Sequence, residues 1–129
     1  SGRRLWGLFQ ERYADADAFF DENFIANYCP LVFMEESARN RTPDKLPARE
    51  RDLLDAACQK HLARLLKVLS PEVVVGVGAY AEKCLERTMT ESRYDAQLAR
   101  ILHPSPASPA ANRDWAGTAT QQLKAAGIW

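Results

Sequence analysis

Neither sign of charge is in excess in this chain: seventeen Lys and Arg balance seventeen Asp and Glu. No global field announces a polyanion or a membrane surface, so any nucleic-acid site has to be local. Cysteine is scarce and scattered, at positions 29, 58 and 84, with no C-x-x-C pair. That spacing argues against a zinc or iron–sulfur framework, so no metal is expected, and isolated thiols suit a reducing, intracellular compartment. No apolar run approaches the roughly 18 residues of a membrane span, and no charged-then-apolar leader opens the sequence, so no membrane partner is expected. There is no G-x-S-x-G elbow and no cysteine beside a histidine, so hydrolase triads find no support.

What is present is one globular domain's worth of chain: 129 residues, 47% hydrophobic, enough for a single core. Ser1-Gly2-Arg3-Arg4-Leu5-Trp6 enters an amphipathic pattern at once, with no initiating Met, which reads as a sequence cut from something longer. Leu5, Trp6, Leu8, Phe9 and Tyr13 mark one helical face with Ser1 as N-cap, and Phe19 and Phe20 mark a short second helix ending before Asn23. Phe24 to Cys29 reads as a short buried strand that Pro30 ends, followed by Leu31-Val32-Phe33-Met34. Glu35 to Leu46 is a polar surface loop, and Ala48 to Leu69 is the longest helix, with apolar residues recurring at threes and fours. Val73 to Gly78 is a β-branched strand running into glycines, Tyr80 to Met89 is helical, Gln97 to Leu102 is a further strand, and Asn112 to Ala126 is the closing helix. Strands alternating with helices predict an α/β fold, a parallel sheet with helices on both faces.

The strand at 97–102 delivers a histidine into a proline-broken loop, His103-Pro104-Ser105-Pro106-Ala107-Ser108-Pro109-Ala110-Ala111-Asn112. Prolines 104, 106 and 109 stiffen it before anything binds, and open α/β sheets place ligand crevices at the carboxyl ends of their strands. His103 is either a site residue or a core or capping histidine. Free N–H groups where the next helix begins suit a phosphate or a developing anion, although proline-rich loops are most often only connectors. Asn27, near a strand end, either satisfies loop backbone or pairs with a base edge, since one amide supplies both a donor and an acceptor. Gly76-Val77-Gly78 lacks the third glycine of a dinucleotide fingerprint, with Ala81 where that glycine would fall, and reads as a tight strand-to-helix turn. Arg39, Arg41, Arg49 and Arg51 could meet phosphates, but Asp44, Glu50 and Asp52 interleave with them, so a salted helix entrance fits equally. His61, between Lys60 and Leu62, is given no role.

Five blocks carry a resemblance: Ser1-Gly2-x-Arg4-x-Trp6, Phe24-Ile25-Ala26-Asn27-Tyr28-Cys29-Pro30-Leu31, Thr42-Pro43-x-x-Leu46-Pro47, Val73-Val74-Val75-Gly76-Val77-Gly78, and Leu102-His103-Pro104-Ser105-Pro106-x-x-Pro109-x-Ala111-Asn112-x-x-Trp115. In order and over nearly the whole length, they resemble the single-strand-selective monofunctional uracil-DNA glycosylases of the uracil-DNA glycosylase superfamily. The resemblance implies a three-layer α/β/α domain with a mostly parallel central sheet, of which residues 1–129 are the C-terminal part. It also implies hydrolysis of the N-glycosidic bond of uracil, and of oxidised pyrimidines such as hydroxymethyluracil, in single- or double-stranded DNA, the first step of base-excision repair. No cofactor is implied, and the location would be the nucleus in a eukaryote or the cytoplasm or nucleoid in a bacterium. By the same resemblance, Asn27 reads uracil's O4 and N3–H in the flipped-out state, and His103 donates towards O2 as charge gathers there. Pro104, Ser105, Pro106, Ala107 and Ser108 form a wedge, supported by Asn112 near the phosphates.

Two departures accompany it. Vertebrate members have an arginine and an asparagine where this chain has Ala107 and Ser108, so the wedge is smaller and uncharged and weaker duplex intercalation is expected. The family's upstream G-M-N-P-G block, whose asparagine positions the attacking water, is absent, and no Asn-Pro pair occurs. Activity is therefore expected to need an N-terminal segment of the same domain as its partner. The rival expectations are a catalytically incomplete α/β nucleic-acid- or nucleotide-binding module, and a folding or oligomerisation fragment with no ligand.

Overall fold

A computed structural model describes every residue but Val32; that residue, part of the apolar run expected after Pro30, lies outside the described residues. Seven principal elements follow one another: helices α1 (Gly2–Arg12), α2 (Ala16–Glu22) and α3 (Ala48–Leu69), strand β1 (Val73–Val77), helix α4 (Ala79–Ser92), strand β2 (Gln97–Ile101) and helix α5 (Pro109–Ala125), with a 3-10 turn at Pro43–Lys45. β1 and β2 pair in parallel, Val73 with Gln97 through Val77 with Ile101. Helices cover both faces of this sheet. Val75, Val77 and Ile101 pack on one side with Leu8 of α1 and Ala111, Trp115, Ala119 and Leu123 of α5. On the other, Gly76 lies so close to α4 that a Cβ there would sit 2.6 Å from the Glu82 backbone nitrogen. Arg100, the partner of Gly76 across the ladder, reaches the Glu82 carboxylate at 3.5 Å on that side. α3 lies outside α4, burying Cys58 and Leu66 on its own length while α4 buries Cys84 and Thr88.

Local chemistry explains the boundaries. α3 stops where Ser70 turns left-handed (φ 47°) and Pro71 follows, a residue that cannot continue a helix. Ser108 caps α5, its hydroxyl accepting from the Ala111 amide, and Pro109 occupies the first helical position, where its missing N–H costs nothing. This corrects the expected start at Asn112: the third proline opens the helix rather than extending the loop. Likewise β2 ends at Ile101 rather than Leu102, and α4 is longer than Tyr80 to Met89.

The larger correction concerns Phe24 to Cys29, which forms no strand. A strand exists only by pairing, and among the described residues the two strands pair only with one another. The segment has no regular structure and bends at Tyr28 and Cys29, with Phe24 60% and Ile25 37% exposed. It is tied down instead by a side chain, that of Tyr28.

Candidate functional site

The end of β2 is held from several directions. The Gly78 amide donates to the Ile101 carbonyl (2.9 Å), carrying the ladder one bond beyond the strand. Both backbone groups of Leu102 are taken up by α5: its N–H donates to Gln122 Oε1 (2.7 Å) and its carbonyl accepts from Trp115 Nε1 (2.6 Å). His103 follows immediately and is exposed, which removes the core-histidine alternative. Its ring lies against Gly78, where a Cβ would come within 3.1 Å of His103 Cβ and 3.2 Å of Cδ2. Gly78 has φ +94° and ψ 166°, a conformation essentially restricted to glycine, so one residue supplies both the tight turn and the bed for the imidazole.

Beyond the histidine, the loop satisfies its own backbone. Ser105 N–H donates to His103 Nδ1 (3.1 Å), Ala107 N–H to Ser105 Oγ (3.2 Å), and Ser108 N–H to the Ser105 carbonyl (3.0 Å). The prolines have no N–H, so every backbone N–H between Pro104 and Ser108 is used. An acceptor at Nδ1 puts the neutral ring's proton on Nε2, leaving an N–H donor on the ring's other side. A preset donor on a stiff loop can stabilise negative charge developing on a ligand oxygen.

Asn112, exposed in the first turn of α5, turns towards the loop. Its Nδ2 donates to the Pro106 carbonyl (2.8 Å), and its Oδ1 accepts from Arg4 Nη2 (2.9 Å). Arg4 Nη1 also donates to the Pro104 carbonyl (3.1 Å). Sequence reading had assigned Arg4 no part in the site; the chain separates it from this loop by a hundred residues, and no local pattern joins them.

Asn27 is exposed, and among the described residues its amide has no hydrogen-bond partner. Its neighbour Tyr28 ties the segment to α3 and α4. The Tyr28 ring meets Tyr80, in the first turn of α4, edge-on at 6.1 Å between centroids. The Tyr28 hydroxyl donates to Asp55 Oδ1 of α3 (2.7 Å) and accepts from Arg87 Nη2 of α4 (2.7 Å). Arg87 in turn pairs with Asp55 Oδ2 at 2.9 Å. Burial, and then the hydrogen bond to the Asp55 carboxylate, push the Tyr28 phenol well above its ordinary pKa of 10.0. Burial works the other way on Asp55, but the bonds from Arg87 and Tyr28 outweigh it and hold the carboxyl below its usual 3.8. Desolvation also raises Tyr80, to about 12. His103 lies against Gly78, while Tyr28, the residue after Asn27, meets Tyr80 two residues further on.

The loop arginines are partly internal: Arg51 donates to the Asp44 carbonyl (3.4 Å), and Arg41 to the Lys45 carbonyl (3.3 Å) while lying 3.8 Å from Glu35. Among the described residues no group of three or more His, Cys, Asp or Glu is placed to hold a metal, and no helix is long and apolar enough to cross a membrane.

A parallel α/β layer with a proline-stiffened histidine loop at the carboxyl end of its strand defines the class. The family model of the Uracil DNA glycosylase superfamily matches residues 1–124, and the chain belongs to that family. It is 38% identical over 128 residues to the single-strand selective monofunctional uracil DNA glycosylase of Bos taurus, covering 99% of this chain and 47% of the relative. The proteins of the same description from Rattus norvegicus and Mus musculus are 39% and 38% identical over 128 residues, with 99% of this chain and 46% of each relative covered. The chain spans about half the length of the curated relatives it matches.

Proposed function

We propose that residues 1–129 form the C-terminal part of a single uracil-DNA glycosylase domain that hydrolyses the N-glycosidic bond of uracil, and of oxidised uracil derivatives, in single- or double-stranded DNA. The observation that carries this reading is the Ser105 N–H donated to His103 Nδ1. With the proton held on Nε2, His103 presents a neutral donor to uracil O2, where negative charge collects as the C1′–N1 bond breaks and the sugar becomes oxocarbenium-like. Water then adds at C1′, giving an abasic deoxyribose and free uracil. Asn27, without a hydrogen-bond partner among the described residues, would donate Nδ2–H to O4 and accept N3–H at Oδ1 once the base has left the stack. Cytosine reverses both groups on that edge, and is refused as long as the bound amide keeps this orientation. Pro104 to Ser108 would enter the gap in the duplex, with Asn112 supporting the loop from behind. The water-positioning asparagine would come from a segment upstream in the same domain, and the setting would be intracellular, nuclear in a eukaryote.

The test is His103→Ala in a polypeptide that joins this chain to such a segment. Single-turnover excision from a uracil-containing oligonucleotide should fall by about 100-fold or more, while affinity for the DNA stays unchanged. The 129-residue chain alone should show no appreciable excision. Salt-dependent DNA binding without excision in the joined protein would instead identify an incomplete nucleic-acid-binding module, and no salt-dependent binding would identify a folding or oligomerisation fragment.

A further inference from the structure

We propose that Arg4 is a positioning residue for the glycosylase site, clamping the His103 loop to α1 from its inner side. The proposal rests on the glycosylase reading for its catalytic consequence, but the clamp itself stands on geometry. Arg4 sends one guanidinium nitrogen to the Pro104 carbonyl (3.1 Å), the peptide group directly after His103, and the other to Asn112 Oδ1 (2.9 Å). Asn112 passes the restraint on, since its Nδ2 holds the Pro106 carbonyl at 2.8 Å. Two carbonyls of one loop, at 104 and 106, are therefore held by one planar fork and by the Asn112 amide in the first turn of α5.

The arrangement suits arginine and no other residue type. A guanidinium holds two acceptors at a set separation, whereas an ammonium on a flexible stem is a point donor. Prolines 104 and 106 leave the loop few N–H groups, so its remaining freedom is a rigid swing about its root, and the clamp acts on that root. α1 is itself anchored by Leu8 in the same core that contains Ile101 and Trp115, so loop and sheet share one reference. Among the described residues Arg4 has no carboxylate partner, and its two side-chain bonds both go to the loop region. Its place on the helix surface is thus explained by the loop, not by an ion pair along α1.

The experiment compares the unsubstituted protein with Arg4→Lys and Arg4→Ala. Imidazole 15N shifts of His103, which report its tautomer, and hydrogen exchange at Ser105, Ala107 and Ser108 are measured on the 129-residue protein. Excision is measured on the joined polypeptide described above. Charge-assisted hydrogen bonds of this kind correspond to roughly 10- to 100-fold in an equilibrium, so Arg4→Ala should speed exchange at those amides by about that factor and erode the Nε2–H signature. The single-turnover rate should fall by a similar factor with DNA affinity unchanged, and Arg4→Lys should recover part of each. If the unsubstituted joined protein excises nothing while exchange and tautomer respond, the glycosylase reading fails and the clamp stands. An unchanged imidazole spectrum and unchanged exchange in Arg4→Ala would overturn the clamp. So would an intact rate with uniformly weaker DNA binding and a salt slope lowered by about one, the mark of a phosphate contact.

Discussion

His103 and Asn27, the two residues proposed to meet the base, sit in regions built on opposite terms. Around His103 the ladder, α5 and α1 converge: Leu102 is held at both backbone groups, the imidazole rests on Gly78, and the loop is braced by Arg4 and Asn112. Asn27 lies on an irregular segment that pairs with no strand among the described residues, restrained next door by the Tyr28 hydroxyl between Asp55 and Arg87. A donor to a charge that exists only in the transition state has to be placed in advance, because reorganising it during the reaction would forfeit its benefit. A base-reading amide faces no such demand, since the base itself can complete its surroundings. The rigid half of the site is therefore built by the fold, and the reading half by a tether.

Substitutions at the two regions should separate them sharply. At the rigid end, Gly76→Ala puts a methyl 2.6 Å from the Glu82 backbone nitrogen; neither side can yield cheaply, and the loss is expected at about 3 kcal/mol or more, the upper end of overpacking, read from chemical denaturation. Gly78→Ala meets His103, at Cβ (3.1 Å) and Cδ2 (3.2 Å), and does so at φ +94°. It should cost about 1–3 kcal/mol of strain and displace the histidine, so excision falls further than stability alone would explain. Equal losses of stability and excision at Gly78 would remove its role as the imidazole's bed.

The tether should answer to pH. Asp55 has its folded pKa depressed below 3.8, so its contribution to stability is complete above that value and is lost as pH falls through the lower folded value. Tyr28 has its folded pKa raised, so its share is complete below 10.0 and is lost as pH rises towards the higher folded value. Asp55→Asn should flatten both limbs of a plot of thermal midpoint against pH; an unaltered acid limb would mean that the network carries no stability. The smallest structural effect belongs to Asn27→Ala. The side chain is exposed and has no hydrogen-bond partner among the described residues, so stability should change by less than about 0.5 kcal/mol, while excision and discrimination against cytosine decline together. A clear stability loss at Asn27 would contradict the description of an untethered amide.

Much of the fold was legible because it is written in local patterns. The threes-and-fours spacing of α3 matches its observed span of Ala48–Leu69, and the valine run ending in two glycines marks a strand that turns directly into a helix. Phe24 to Cys29 misled for a physical reason: apolar composition favours a strand, but a strand needs a neighbour, and none pairs with it among the described residues. The start of α5 was misjudged because proline signals both a stiff loop and a helix's first turn, and only the Ser108 cap decides between them.

By itself, the sequence determined the α/β class, the order of the helices and both paired strands, and the chemistry of the histidine loop, because periodicity, proline and glycine act on the chain within a few residues of where they stand. Only the tertiary structure decided which nitrogen of His103 carries the proton, that Asn112 faces its own loop, and that Arg4 reaches across a hundred residues to hold both. Those facts depend on the packing of α1 and α5 against one sheet face, and a hydrogen bond between distant segments leaves no spacing in the sequence from which it could be read.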